Sequence, residues 1–487
     1  MEHLQISAGC AAEVEAPCEN AAGNEIIDLL MTILSDRLDH PELWPEIGGI
    51  LQICPELPHL LIERINIESD RWRRVELNLI LLVCLSALGQ LDRALAEIEP
   101  IMVTASQSAL IQGVAFYLEG LKDPENPKYR LAGKICRHPF QQFDVLERSA
   151  HLCCASFLNK SVGDLSMQNW EVVWNSDIAQ DIRASIHDGS YRYCNKMSCS
   201  VIQAKCLDDR DSLMKESEKW NQILSNQKIM IEEGPITVNL AYDRTCNLSC
   251  PSCRMENYAA DQETRERFED MQNNKILPLL KNAETVFVTG SGDPFASKNF
   301  RSLMKKLTIE EYPALKFQIM TNGMLFTSRQ WEMFPMIHGR VKILKISIDA
   351  ACGPTHELLR RGARWSTMLE NMKFAGTLTA AGLVEHFELV FVVQTENYRE
   401  MGDAVDLAKS VGAKTIFFAR LTNWGTFSNE QYQQKAVFLR AHPLYEDFMS
   451  RMADPRLLDP IVVLGDLENF LPHEDGTSST AIELVAA

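Results

Sequence analysis

Six short apolar runs recur between residues 236 and 420, and an amphipathic stretch fills each gap between them. The runs are ITVNLAY (236–242), TVFVTG (285–290), LKFQIMT (315–321), VKILKISID (341–349), HFELVFVVQ (386–394) and TIFFAR (415–420). Helical candidates between them include QNNKILPLLKN (272–282) and HELLRRGARWSTMLENMKFAGTLTAAG (356–382). Parallel strands need long crossovers, so alternation of strand and helix is the pattern of β/α units around a parallel sheet. The expected fold class over 235–440 is therefore α/β, as a partial barrel or an open doubly wound sheet. A C-terminal helical segment and tail occupy 441–487, where EDGTSSTA (474–481) reads as disordered.

Upstream the period changes. A chain of 487 residues is expected to hold two to four domains. Residues 25–125 read as helical, with LILLVCLSALGQLDRALAEIEPI (79–101) as two amphipathic helices joined at Gly89. Leu88-Gly89 followed by Ala94-Leu95 is similar to the turn of a tetratricopeptide repeat. A plain helical bundle accounts for the same residues, because helices commonly end at glycine. Residues 1–24 read as a flexible tail, 132–210 as a small cysteine-rich domain, and 211–234 as a connector with a charged helix.

The formal net charge is −18, from 66 acidic against 48 basic residues, which repels a phosphate backbone. The basic stretches Arg71–Arg74 and Arg360–Arg364 are short and read as solvated surface, so no nucleic-acid partner is expected. No run of eighteen apolar residues is present and no membrane partner is expected. The acidic N-terminus lacks the features of a secretory signal, which makes the cytoplasm the expected compartment.

Fourteen cysteines in a reducing compartment point to metal or redox sites rather than disulfides. Cys54 and Cys84 sit in apolar helical patterns and read as small buried hydrophobes. The sequence Cys246-Asn-Leu-Ser-Cys250-Pro-Ser-Cys253 follows the first strand directly. Three thiolates within eight residues can face one small volume, and soft ligands of this kind take iron–sulfur clusters, zinc or Cu(I). Three ligands on a four-iron cluster would leave one iron open for a substrate or cofactor; half of a zinc site is the alternative.

The C-x3-C-x2-C spacing at the end of the first strand resembles the radical S-adenosylmethionine superfamily, over about Val238 to Asn423. The resemblance implies a partial (β/α)6 barrel with a [4Fe–4S] cluster on Cys246, Cys250 and Cys253. It also implies S-adenosylmethionine on the open iron, an electron donor such as a flavodoxin or ferredoxin, and a 5′-deoxyadenosyl radical that abstracts hydrogen. Ser252 stands where the family commonly has an aromatic residue. The segment Gly290-Ser291-Gly292-Asp293 occupies the place of the family's Gly-Gly-Glu-Pro-like segment, with Asp293 for the usual Glu. The resemblance makes these four, with Asn322 of Thr321-Asn322-Gly323, Ser347 and Asn397, candidates for binding the cofactor. Asp349 and Gln394 lie beside them, at C-terminal strand ends where β/α barrels build active sites.

A second cysteine group comprises Cys136, the pair Cys153-Cys154, Cys194-x4-Cys199 and Cys206. With Trp174-Asn175-Ser176, the following helix and Asp188-Gly189, it is similar to a SPASM-type auxiliary-cluster domain, which in that family usually follows the barrel and here precedes it. The resemblance implies a second [4Fe–4S] cluster on Cys136, Cys153, Cys194 and Cys199, with Cys154 the rival of Cys153. Its roles would be to relay electrons or anchor substrate; structural zinc is the alternative. SPASM-bearing relatives often modify peptides or proteins, so the expected activity is that of a radical oxidoreductase or maturase with a peptide or protein substrate. Dehydrogenation or rearrangement of a sugar or small metabolite is the second reading, and a non-catalytic zinc-binding interaction protein the third. His356, Glu357 and Arg420 have ordinary surface or salt-bridge explanations, and no catalytic acid or base is assigned.

Overall fold

The computed structural model describes residues 25–29, 49–52, 54–104, 108–289 and 291–471. The tail at 1–24, Gly290 and the stretch 474–481 lie outside them. The chain divides into two compact units, one of Met1–Ile101 with Gly113–Glu125, the other of Met102–Gln112 with Asn126–Ala487.

The first unit is helical. Leu57–Ile67 is followed by Arg71–Ala87, whose first turn is capped where the Arg73 backbone N–H donates to Asp70 Oδ1 at 2.8 Å. That helix ends where Gly89 takes φ +78° and the Gln90 N–H donates to the Leu85 carbonyl at 2.9 Å. A residue with a Cβ is strained in that conformation, so the glycine makes the turn into the next helix, Leu91–Thr104. Leu61, Leu77, Ile80 and Leu95 are buried in this unit, and so are Cys54 and Cys84. Burial pushes the Cys84 thiol up to about 12, as expected of a cysteine used as a hydrophobe.

The described residues of the second unit form twelve strands: β1 (Lys134–Ile135), β2 (Gln142–Leu146), β3 (Ser149–His151), β4 (Gly163–Asp164), β5 (Asp208–Asp209), β6 (Thr237–Leu240), β7 (Thr285–Val288), β8 (Lys316–Thr321), β9 (Val341–Ser347), β10 (Val384–Val393), β11 (Thr415–Arg420) and β12 (Val462–Val463). β1 and β5 pair antiparallel, and the other ten form one sheet in the order β12-β11-β10-β9-β8-β7-β6-β2-β3-β4. The six runs expected to be strands are β6 to β11. They lie side by side in chain order, every neighbouring pair parallel.

The helical stretches differ in detail from the expectation. In the first crossover the regular helix is Gln262–Met271, and residues 272–282 continue it as a wider turn, Gln272–Ile276, and two short turns. The 356–382 stretch is two helices, Gly353–Leu359 and Trp365–Ala380. Gly362 lies between them with φ +97°.

The sheet also runs past its six β/α strands at both ends. β12 adds parallel to β11, and β2 adds parallel to β6, carrying the β3–β4 hairpin strands with it. The cysteine-rich region expected at 132–210 therefore shares its sheet with the β/α units. On the sheet's closed face Val238, Leu240, Val286, Val288, Phe317 and Ile319 are fully buried. The alternate residues, pointing the other way, include Asn239, Phe287 and Gln318, all half-buried. Because β6 to β11 are parallel, the segments that follow them emerge along one edge.

Candidate functional site

The segment after β6 is shaped before it reaches its cysteines. Asp243 accepts from the Thr245 N–H at 2.9 Å and from Ser297 Oγ at 2.5 Å. The Cys246 N–H then donates to the Tyr258 carbonyl at 3.0 Å, closing a loop over 246–258. Inside the loop the Cys253 N–H returns to the Cys250 carbonyl at 2.9 Å. Cys246 and Cys253 pack against a buried cluster of Leu248, Cys250 and Ala363, with Met324 beside them. The three thiols expected to act together are thus gathered in one place.

Each sulfur there meets one N–H donor. Asn322 Nδ2 lies 3.5 Å from Cys246 Sγ, Arg360 Nη1 3.9 Å from Cys250 Sγ, and Arg254 Nη2 3.5 Å from Cys253 Sγ. Burial pushes the Cys246 and Cys250 thiols up, and the guanidiniums of Arg254 and Arg360 respectively act in the opposite direction. Amide and guanidinium donors aimed at sulfur suit thiolates, which are the form that binds iron.

Sequence reasoning missed these arginines. Arg360–Arg364 was expected on the solvated surface, yet the Arg360 side chain is 14% exposed and its Nη2 pairs with Asp349 Oδ2 at 2.8 Å. Arg361 donates to the Ser249 carbonyl at 3.0 Å and to the Met255 carbonyl at 2.9 Å, clasping the cysteine loop. The break at Gly362 turns the pair back toward that loop; an isolated basic run carries no sign of this. Arg254, adjacent to the last cysteine, could have been suspected from its position.

The cofactor candidates fall into two groups. Ser291 Oγ donates to the Ala241 carbonyl at 2.7 Å, and the Ser291 and Gly292 N–H groups both donate to Thr289 Oγ1 at 3.1 Å. Gly292 is required by a close approach, because a Cβ there would lie 2.6 Å from the Asp243 carbonyl oxygen and 2.7 Å from that of Thr245. Asp293 is fully buried. Its carboxylate accepts from Thr321 Oγ1 at 2.6 Å, the Asn322 N–H at 2.9 Å, the Phe295 N–H at 3.0 Å and the Ala296 N–H at 3.2 Å. It ties the end of β7 to the end of β8. Asn397 is likewise buried, its amide donating to the Asp349 and Val392 carbonyls at 2.9 and 2.8 Å. Asp293 and Asn397 therefore position the strand ends. Ser347 closes β9 and is 7% exposed, and Asn322 also donates to Asn247 Oδ1 at 2.9 Å.

Of the three residues given a surface or salt-bridge explanation, Glu357 is exposed, Arg420 makes a salt bridge, and only His356 departs from the expectation. His356 is fully buried, with Nδ1 2.7 Å from the Ile348 carbonyl oxygen. Arg420 is buried and pairs with Asp466 at 2.8 Å. Glu357 accepts from the Trp365 N–H at 2.9 Å. On the half-open face of the sheet, Lys345 on β9 pairs with Glu388 on β10 at 2.7 Å, and Glu388 accepts from Thr415 on β11 at 3.1 Å.

The second thiol group lines a single cavity. Cys136, Cys153, Cys194 and Cys199 face it together with His138, Pro139, Phe157, Leu158, Tyr191, Ile202 and Leu207. Cys154 is turned away, 3.6 Å from Ser156 Oγ, and Cys206 is exposed. Burial pushes the Cys136 thiol up to about 12 and the Cys153 and Cys194 thiols well above the usual range, and in each the neighbouring cysteines add to the effect. Trp174, Asn175 and Ser176 have packing roles. The indole donates to the Glu233 carbonyl at 3.0 Å, Asn175 exchanges hydrogen bonds with the Ile231 backbone at 2.9 Å, and Ser176 caps the helix Asp177–His187. Among the described residues no three His, Cys, Asp or Glu side chains converge closely enough to hold one metal ion.

The two groups leave the sheet at opposite edges. β3 runs antiparallel to β2, with Asp144 beside His151, so Cys153 emerges where β2 and β6 begin. Cys246 follows the edge where β6 ends.

No protein-family model and no curated protein matches the chain. Among solved structures it is similar to Streptococcus suis SuiB bound to S-adenosylmethionine, with 17% identity over 52% of this chain and 55% of that one, at a TM-score of 0.29. It is also similar to TYW1 with a lysine-pyruvate adduct bound (13% identity, 46% and 71% covered, TM-score 0.28). A third is native anSMEcpe with bound AdoMet (15% identity, 41% and 58% covered, TM-score 0.29). The likeness thus spans little more than half of the SuiB chain. At TM-scores near 0.3 the likeness says nothing about what this chain does.

Proposed function

We propose that this chain is a radical S-adenosylmethionine enzyme whose [4Fe–4S] cluster is held by Cys246, Cys250 and Cys253. The observation that carries this reading is the set of three gathered thiols, each facing its own N–H donor. The donor set fits the group, since anionic sulfurs need such compensation in a buried setting. When bound, the cluster supplies the electron that cleaves S-adenosylmethionine.

The chain's own residues build the surroundings. Thr289 and Ser291 fix the turn after β7, Asp293 holds Thr321 and the Asn322 backbone, and Asn322 reaches the cysteine loop. Asp349 and Asn397 lock the ends of β9 and β10 together. Gly290, Ser291, Gly292, Asn322 and Ser347 are the proposed contacts to the cofactor, the last four on the edge that also carries the cysteine loop.

Cys136, Cys153, Cys194 and Cys199 are the proposed ligands of a second [4Fe–4S] cluster in the manner of a SPASM domain. A structural zinc draws its thiolates to about 2.3 Å from one point. Four thiols that line one cavity supply the soft ligand set that an iron–sulfur cluster takes. Placement at the opposite sheet edge favours electron relay over substrate anchoring. The proposed substrate is a peptide or protein, modified in a maturase-type reaction in a reducing compartment such as the cytoplasm. The helical first unit, repeat-like or not, would serve partner binding.

The test is anaerobic reconstitution, then incubation with S-adenosylmethionine and dithionite while 5′-deoxyadenosine is scored. Production should vanish in Cys250→Ala. An equal yield from that variant would defeat the assignment.

A further inference from the structure

The two arginines at the first thiol group are not equivalent. Arg360 is held 2.8 Å from the Asp349 carboxylate, which is 2% exposed, so a buried partner balances its charge. Arg254 has neutral partners: it donates to the Arg244 carbonyl at 2.7 Å and the Ser291 carbonyl at 2.6 Å. Among the described residues no carboxylate pairs with it. It is 8% exposed, and all three cysteines favour its charged form. One uncompensated cation thus acts on every ligand sulfur, through contact with Cys253 and through space with Cys246 and Cys250.

Resting on the function proposed above, we propose that Arg254 is the positioning residue that sets the reduction potential of the cluster on Cys246, Cys250 and Cys253, while Asp349 mutes Arg360. One-electron reduction adds one negative charge to the thiolate-bound group; the reductant loses that electron, and no bond or proton need move. A fixed cation in a poorly hydrated setting stabilises the more negative form, and charge and hydrogen bonds at the sulfurs are the levers that tune such clusters. The sequence places this cation one residue after the last ligand, and its two carbonyl acceptors, after β6 and after β7, hold it there.

The test is a potentiometric titration of the reconstituted full-length protein, following by electron paramagnetic resonance the signal that Cys250→Ala removes. Arg254→Gln should lower the equilibrium constant for one-electron reduction about tenfold, or about 59 mV for a one-electron couple. Arg254→Lys should restore most of it, and Arg360→Gln should move it less. Asp349→Asn should raise it by releasing the charge of Arg360, and this arm holds even if Arg254→Gln does not fold. An unchanged potential in Arg254→Gln, an equal fall in Arg254→Lys, or a fall in Asp349→Asn would overturn the proposal. If Cys250→Ala removes no cluster signal, the functional reading falls first and this one with it.

Discussion

The two thiol groups use the same side chain in opposite surroundings. Beyond β6 three sulfurs sit within reach of an amide and two guanidiniums, on the edge where the parallel strands end. In the other group four sulfurs face a cavity walled by Pro139, Phe157, Leu158, Ile202 and Leu207, which offers apolar contact. One group is arranged to stabilise negative charge on its sulfurs. The other is packed as a core element whose thiols stay protonated unless a metal replaces their protons. Under the proposed function, that difference is what separates the radical-forming centre from the relaying one.

The largest expected effect divides the two groups outright. Replacing Cys246, Cys250 and Cys253 together by Ala should abolish 5′-deoxyadenosine formation and remove about four of about eight irons per chain. Replacing Cys136, Cys153, Cys194 and Cys199 should remove the other four and lower the thermal midpoint, because metal binding in such a cavity contributes to folding. Iron analysis and calorimetry of both variants check this. Zinc in the second group would erase the proposed relay.

The polar frame behind the first group should be nearly as sensitive. Asp293→Ala would leave Thr321 and three backbone N–H groups without their buried acceptor. Unsatisfied buried donors cost about 1–3 kcal/mol each, so a loss of about 3 kcal/mol or more is expected in urea unfolding. Gly292→Ala should fail for a different reason. Its Cβ would press on two backbone carbonyls, which do not swing aside as a side chain would. A loss under 1 kcal/mol for Asp293→Ala would mean that Asp293 is free to serve the cofactor.

This contrast also marks what could be read from the sequence. The β/α alternation and the three-cysteine loop were legible, because a parallel sheet imposes its period on consecutive residues and the loop's three cysteines lie within eight residues. Nothing local in the sequence decides between Cys153 and Cys154; in the structure Cys153 lines the cavity with Cys136, Cys194 and Cys199. What could not be read depended on residues far apart in the chain. Arg360 lies 110 residues from Cys250, and nothing local separates it from a surface arginine. Nor does the sequence show that Asp293 and Asn397 brace the strand ends, because ligands and strand-end braces use the same polar residues at the same places. The extension of the sheet by β2 was hidden as well, since QFDVL carries two polar positions, and the buried Asp144 finds one of its donors, Asn239, only on the neighbouring strand.

Those positions give a prediction about the seam between the two regions. Asp144 on β2 accepts from Gln142 at 2.7 Å and from Asn239 on β6 at 2.8 Å, and it is 1% exposed. Burial pushes its carboxyl up to about 6, while the two amide donors act in the opposite direction. The folded value lies above the unfolded one of about 3.9. Its stabilising contribution is therefore complete below about pH 4 and is lost as the pH rises through about 6. Asp144→Asn should remove this dependence, a change on the order of 2 kcal/mol in wild type relative to variant between pH 4 and 7. Comparing the two at each pH cancels the metal release that acid causes in both. Parallel stability curves would show that the seam does not depend on this carboxyl.

The smallest effect expected is also the most discriminating for the second group. Cys153 and Cys154 are neighbours in sequence, yet Cys153 faces the cavity with His138 Nδ1 3.7 Å from its sulfur, whereas Cys154 turns to Ser156. Cys153→Ser should therefore lower the iron content, and Cys154→Ser should leave it unchanged with a stability cost under about 1 kcal/mol. The two substitutions are chemically identical and adjacent, so a general disturbance of the region would affect both alike. Iron loss from Cys154→Ser with retention in Cys153→Ser would reverse the assignment, and equal loss from both would mean that the cavity alone does not select the ligand.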